Sequence, residues 1–99
     1  MKITIKETQN PTIIKFEFPD FIIQNQHLEF KNIDEAKNSP LAQKLFYLPF
    51  VKTVYISGNF IAVERFSIVE WKDVQDEVAN QIEEFISNGG VIVLPSENV

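Results

Sequence analysis

The sequence predicts an α+β fold: a two-layer sandwich in which a mainly antiparallel sheet carries two helices packed on one face. Three observations lead there. Short segments alternate apolar and polar residues and are joined by brief turn signals, which favours antiparallel neighbours. Two other segments carry apolar residues at helical spacing. The chain has 99 residues, 44% of them hydrophobic and nine of them Phe, which supplies one core and leaves little for a second.

The elements follow in order. In "KITIKE", Ile3 and Ile5 alternate with Lys2, Thr4 and Lys6, the pattern of a half-buried strand. Asn10-Pro11 interrupts the pattern, and "TIIKFEF" resumes it with Ile14, Phe16 and Phe18 inward and Lys15 and Glu17 outward. Pro19-Asp20 ends that run. The segment "DFIIQNQ" has no clear period, and "HLEFKN" is a weaker strand with Leu28 and Phe30 on one side. In "NSPLAQKLFYLP", Ser39 suits a helix N-cap and Pro40 the first helical position. Leu41, Leu45 and Leu48 form the apolar stripe, and Pro49 stops the helix. "FVKTVYIS" and "FIAVERF" flank Gly58-Asn59, a hairpin signal because both residues tolerate positive φ. Trp71, Val74, Val78, Ile82 and Phe85 then mark one face of a second helix, ended by Asn88-Gly89-Gly90. "VIVLPSENV" reads as a short last strand or the start of a linker. The domain reading is therefore a globular unit over residues 1–88 and a tail or linker over 89–99.

Composition removes several function classes. There is no cysteine, so this chain alone offers no disulfide, thiol nucleophile or thiolate-held metal or iron–sulfur cluster. His27 is the single histidine and has no carboxylate at ligand spacing, so it reads as a loop or strand-edge residue rather than a metal ligand. Ser39, Ser57, Ser67 and Ser87 have cap or turn explanations, and none lies in a G-x-S-x-G context. Glu64, Glu70 and Asp73 form no convincing acid–base pair, and no phosphate-binding glycine loop is present. The expectation is a chain that is not an enzyme, with no catalytic and no metal-ligating residues.

The net charge is −5. No Lys/Arg cluster offers a face for nucleic acid. The aromatics Phe46, Tyr47, Phe50, Tyr55 and Phe60 are accordingly assigned to core packing rather than to base stacking. Six acids and one base lie between Ser67 and Ser87, so this segment carries the whole charge excess. On the second helix, Asp73, Asp76, Glu77, Glu83 and Glu84 lie off the apolar face, where they either serve solvation or dock a basic partner. The first residues show no apolar leader core, and no run approaches the roughly 20 apolar residues of a membrane span. A cytoplasmic location without membrane contact is the expectation.

Three ordered blocks carry a resemblance beyond this. "TQNPTIIKF" resembles the T-x-N-P-x-x-x-K-F signature of the Nfu N-terminal domain, matched by Thr8, Asn10, Pro11, Lys15 and Phe16. "SPLAQKLFYLPFVKTVYISGNFIAVER" is similar to a second block of that family, through Ser39, Pro40, Leu41, Ala42, Leu45, Phe46, Val51, Val54, Gly58, Phe60, Ile61 and Val63. "VEWKDVQDEVANQIEEFI" resembles its tryptophan-led helix. A Pro-Gly pair usual after the first helix is here Pro49-Phe50, so Phe50 must take another turn or fill a pocket. The resemblance implies iron–sulfur cluster assembly, with the cluster held by a separate cysteine-bearing domain. The function expected is a non-catalytic protein-docking domain of such a scaffold or carrier, binding no cofactor itself. Its partners would be iron–sulfur assembly factors or apo-targets, met through the acidic helix face and the edge near Asn10-Pro11. The alternative is a stand-alone protein- or peptide-binding module that works by strand addition.

Overall fold

The computed structural model describes residues 2–94. Five strands form one sheet: β1 (Thr4–Glu7), β2 (Ile13–Glu17), β3 (His27–Phe30), β4 (Val51–Ser57) and β5 (Phe60–Arg65). Their spatial order is β1-β2-β5-β4-β3, and every neighbouring pair is antiparallel. The helices are α1 (Pro40–Phe46) and α2 (Trp71–Ser87). The α+β class and the antiparallel sheet agree with the sequence reading.

Register fixes which side chains share a face. Ile14 pairs with Val63, Phe16 with Ile61, and these two continue across to Val54 and Ile56. All six are buried, and they join Leu41 and Leu45 of α1 and Trp71, Val78 and Ile82 of α2 in one core cluster. The alternation in "TIIKFEF" is thus the signature of a strand with one buried face: Phe16 is fully buried while Lys15 points outward.

The helix punctuation works as expected. The Ser39 hydroxyl accepts the Ala42 N–H at 3.1 Å, and Pro40 occupies the first turn. Ser39 is fully buried, and it also donates to the Ile92 carbonyl at 2.6 Å. Leu94 N–H donates to Asn38 at 2.7 Å, so residues 92–94 return to the start of α1. Among the described residues this last segment forms no strand, and residues 95–99 of the tail lie outside them. At the end of α2, Gly90 N–H bonds the Phe85 carbonyl and Gly89 N–H the Ile86 carbonyl. Gly89 has φ +86°, the left-handed residue this Schellman cap requires.

Three local outcomes differ from the sequence reading or go beyond it. Residues Ile33–Ala36 form a 3-10 turn that periodicity did not reveal. Asn32 caps it by accepting the Glu35 N–H, while Glu35 reaches back to the Lys31 N–H; an N-x-x-E spacing was its only sequence signal. In the hairpin, only Gly58 takes positive φ (53°). Asn59 instead uses its side-chain amide to bond the Phe18 carbonyl at 3.1 Å. Phe50 both makes the turn and fills a pocket: Val51 N–H closes the turn on Leu48, and the Phe50 ring meets Trp71 edge-on at 6.1 Å.

The core assignment of the five aromatics holds for two of them. Phe46 and Phe50 pack against the core. Tyr47 is exposed. Tyr55 and Phe60 pair with Ala62 and Ser57 on the sheet face away from the core, with ring centroids 5.9 Å apart. Their strand parity decides this: each is one residue out of phase with the buried Val54, Ile56 and Ile61.

Candidate functional site: the Thr8–Ile13 joint and the face of α2

The joint between β1 and β2 is a closed set of hydrogen bonds. Ile13 N–H returns to the Asn10 carbonyl at 2.9 Å, with Pro11 inside the turn, where its fixed φ fits and its missing N–H costs nothing. The Asn10 side-chain oxygen accepts from the Thr12 N–H at 2.9 Å and from the Thr12 hydroxyl at 2.7 Å. The Thr8 hydroxyl lies 2.9 Å from both the Asn10 and Ile13 carbonyls and accepts the Asn10 N–H at 3.2 Å. Thr8 and Asn10 are therefore residues that shape a loop. Their types matter because each has a short side chain that can bond the backbone two residues away.

Thr12 ties this joint to the rest of the molecule. Its carbonyl accepts the Arg65 N–H at 3.0 Å and the Trp71 indole N–H at 2.7 Å. The indole ring packs edge-on against Phe16 at 6.1 Å. The start of β2, the end of β5 and the first residue of α2 thus meet at one oxygen. This explains why a tryptophan leads α2: it brings a large apolar ring and a donor to the same place.

A cleft of about 490 Å³ opens between the joint and the first turn of α2. Thr8, Pro11, Arg65, Glu70, Lys72 and Gln75 line it. Arg65 is 8% exposed because β5 alternation puts it on the inward side with Ile61 and Val63. Its Nη2 lies 3.4 Å from Glu70 Oε1 and its Nη1 donates to the Phe66 carbonyl at 3.4 Å. The Arg65 Nε–H has no partner among the described groups. Sequence reasoning missed this residue, although the inward parity of "FIAVER" was a sufficient signal.

The acidic residues of α2 lie as the sequence placed them. Asp73, Asp76, Glu77 and Glu84 are exposed and Glu83 is half-buried. At 3.6 residues per turn the five fall within an arc of about 120°, opposite the stripe from Trp71 to Phe85. None of them is in an ion pair among the described residues.

The other motif residues have structural positions. Lys15 Nζ sits 4.3 Å over the Phe60 ring and 3.6 Å from Glu17, so two separately spaced motif residues meet on the open sheet face. Gly58 supplies the positive φ of the hairpin. His27 lies on the edge strand β3 with Nδ1 2.6 Å from the Ser57 hydroxyl directly across the ladder, a cross-strand tie. Glu64 faces the open side, where it accepts from the Thr53 hydroxyl and pairs with Lys52, so the fold does not bring it together with Glu70. Among the described residues no group of three or more His, Cys, Asp or Glu side chains could hold a metal ion.

The family model described as "Scaffold protein Nfu/NifU N terminal" matches residues 3–89. The chain belongs to the Nfu/NifU N-terminal domain family. A NifU-like protein of Schizosaccharomyces pombe is 34% identical over 94 residues, covering 92% of this chain and 36% of that protein. The mitochondrial NFU1 iron–sulfur cluster scaffold homolog of Drosophila sechellia is 33% identical over 91 residues, covering 90% of this chain and 32% of its own length. The chain thus spans about a third of the length of the curated relatives it matches. In fold, it is similar to a NifU-like protein of Saccharomyces cerevisiae, with a TM-score of 0.78 over 98% of this chain and 86% of that one, at 24% identity. A Staphylococcus aureus protein covers 81% of this chain and 96% of its own, with a TM-score of 0.67 at 21% identity.

These relatives correct one expectation. The Drosophila protein and NifU-like proteins 4 and 5 of Arabidopsis thaliana are named as mitochondrial, which points away from the cytoplasmic location. The physical reason is simple. Mitochondrial leaders are amphipathic and have no apolar core, so the lack of such a core in the first residues is no mark of the cytoplasm. No helix among the described residues is long and apolar enough to cross a membrane.

Proposed function

We propose that this Nfu/NifU N-terminal domain is a non-catalytic docking module within an iron–sulfur scaffold or carrier, and that it does not itself ligate the cluster. Its sequence has no cysteine, and the described residues gather no alternative ligand set, so the donor chemistry does not fit a cluster. Its partners are proteins of iron–sulfur assembly or their apo-targets. In this reading residues 89–99 act as a tail or linker that follows the domain.

The observation that carries the docking assignment is the acidic arc of α2. It is concentrated, solvent-facing and free of internal ion pairs among the described residues, so its field is available to a basic surface. Rim charges of this kind act chiefly on the rate and orientation of encounter. The exposed Asn10-Pro11 joint, at the N-terminal end of the same helix, is the second contact surface. Strand addition has less support: edge strands β1 and β3 are four residues each, and β1 carries Lys6 and Glu7.

The test is chemical-shift mapping of the labelled chain against iron–sulfur assembly proteins. Amides around Asp73, Asp76, Glu77 and Glu84 shift on binding. Converting the five acids to Asn and Gln slows association about tenfold at low salt. The reading fails when no such protein perturbs either surface.

A further inference from the structure

Arg65 is a buried cation with poor company. A guanidinium offers five N–H donors in a planar fork. Charge-assisted N–H···O bonds normally measure about 2.7–2.9 Å. Here the two contacts are both 3.4 Å, and the Nε–H bonds nothing among the described groups. Removing a cation from water is costly unless close acceptors replace the water. The residue nevertheless occupies an inward position of β5, at the wall of an open cleft. Its Nη2 end reaches toward Glu70, which lines the same cleft, so the fork faces the opening.

We propose that the cleft is a docking site for an Asp or Glu side chain on a partner protein, with Arg65 as its carboxylate receptor. The proposal rests on the docking reading above and names the chemistry of its second surface. Three observations select the ligand. First, a carboxylate already stands at the fork: Glu70 Oε1 shows that one fits against Nη2. Glu70 is a loose occupant, since its side chain is 63% exposed and makes no capping bond to α2. An incoming carboxylate displaces it without disturbing the helix. Second, the ionisable lining is balanced, Glu7 and Glu70 against Arg65 and Lys72. One added negative charge is tolerated there, whereas a doubly charged phosphate would sit beside two carboxylates. Third, Lys72 and the Gln75 amide lie on the α2 wall, where they can donate to the second carboxylate oxygen or to the peptide that carries it.

The mechanism is an exchange of carboxylates at one arginine. It needs no motion of the backbone, because the joint is held by its own bonds and Trp71 is fixed on Thr12. The same exchange frees Glu70 to face solvent beside Asp73, adding to the acidic arc. A partner presenting one acid to the cleft and basic residues to α2 would therefore be oriented along the helix.

The experiment titrates the labelled 99-residue chain with an acetylated, amidated Ala-Ala-Glu-Ala-Ala peptide. Its Gln analogue and inorganic phosphate serve as the other arms. The expected result is movement of the Trp71 indole N–H and Arg65 Nε–H signals by the Glu peptide alone, with Kd on the order of 1 mM. Glu70→Gln tightens binding about threefold, the scale of a weak exposed ion pair removed as competitor. Arg65→Met abolishes binding; should that variant fail to fold, the Glu70→Gln arm still decides. Equal shifts from the Gln peptide, larger shifts from phosphate, or unchanged affinity in Glu70→Gln overturns the proposal. If the Glu peptide leaves the cleft silent while assembly proteins still perturb the acidic arc, the carboxylate site falls and the docking reading stands.

Discussion

The β2–β5 pair is closed at its two ends in different ways. At the far end, where Glu17 pairs with Phe60, the Gly58-Asn59 turn is sealed chiefly by backbone. Phe18 N–H donates to the Asn59 carbonyl at 2.7 Å, and Ile22 and Ile23 N–H donate to the Gly58 carbonyl at 2.8 and 3.3 Å. At the near end, where Ile13 pairs with Glu64, closure depends largely on side chains: Thr8, Asn10 and the Trp71 indole. Backbone closure leaves an apolar recess of about 360 Å³ beside it, lined by Phe18, Phe21, Ile22, Ile86 and Ile92, with no unmet buried donor among the described residues. Side-chain closure leaves a cleft, a buried arginine and an unmet donor. The same pair of strands therefore has one end held by backbone bonds beside an apolar recess and one end whose polar groups face a cleft.

The largest way to break this contrast is at Trp71. Trp71→Ala removes a buried ring and the indole bond to Thr12, with an expected loss of about 4 kcal/mol in urea unfolding. Trp71→Phe separates the two contributions, since it retains most of the ring packing. Asn10→Ala comes next. It deletes both bonds from the Asn10 side-chain oxygen to Thr12, at about 1.5 kcal/mol, and weakens carboxylate binding by loosening the cleft wall. Gly58→Ala tests the far end. Its φ of 53° penalises any Cβ, yet nothing lies within 4 Å of one, so the cost is backbone strain alone, about 1 kcal/mol. Peptide binding at the near end stays unchanged in that variant.

The smallest effect concerns Glu17, beside the far end. A hydrogen bond from Lys6 at 3.1 Å, reinforced by the charges of Lys6 and Lys15, holds its carboxyl below the usual carboxylate range despite the opposing effect of burial. A lowered folded pKa means the stabilisation is present above the ordinary carboxylate pKa. It is lost as pH falls through the lowered value. Urea midpoints measured against pH decline less steeply on the acid side for Glu17→Gln than for the unchanged chain. Equal slopes would mean that the pair contributes nothing.

Legibility along the chain followed periodicity. Phe16, Leu45 and Ile82 were readable as core because each repeats with its neighbours at the period of its element. Tyr55 and Phe60 lie on the open face because strand parity, not aromatic character, sets which side of the sheet a residue occupies. The 3-10 turn at Ile33–Ala36 is too short to show a period, and a charged residue such as Arg65 interrupts the apolar alternation by which inward positions are recognised.

The sequence by itself determined the five strands, the two α-helices with their caps, the Gly58 turn, and the family. Ser39-Pro40, Gly58 and Gly89-Gly90 act within a few residues of chain, so local chemistry suffices to recognise them. It also determined the acidic arc, since helical spacing alone sets which faces α2 presents. The tertiary structure decided the strand order and the cleft. β5 inserts between β2 and β4, and only that insertion brings the ends of β2 and β5 to the start of α2. Thr12, Arg65 and Trp71 are 59 residues apart at their extremes, yet they converge on one carbonyl. No local period encodes that convergence. It exists because the buried faces of β2, β5 and α2 must share one core, and their polar ends are carried to the same place.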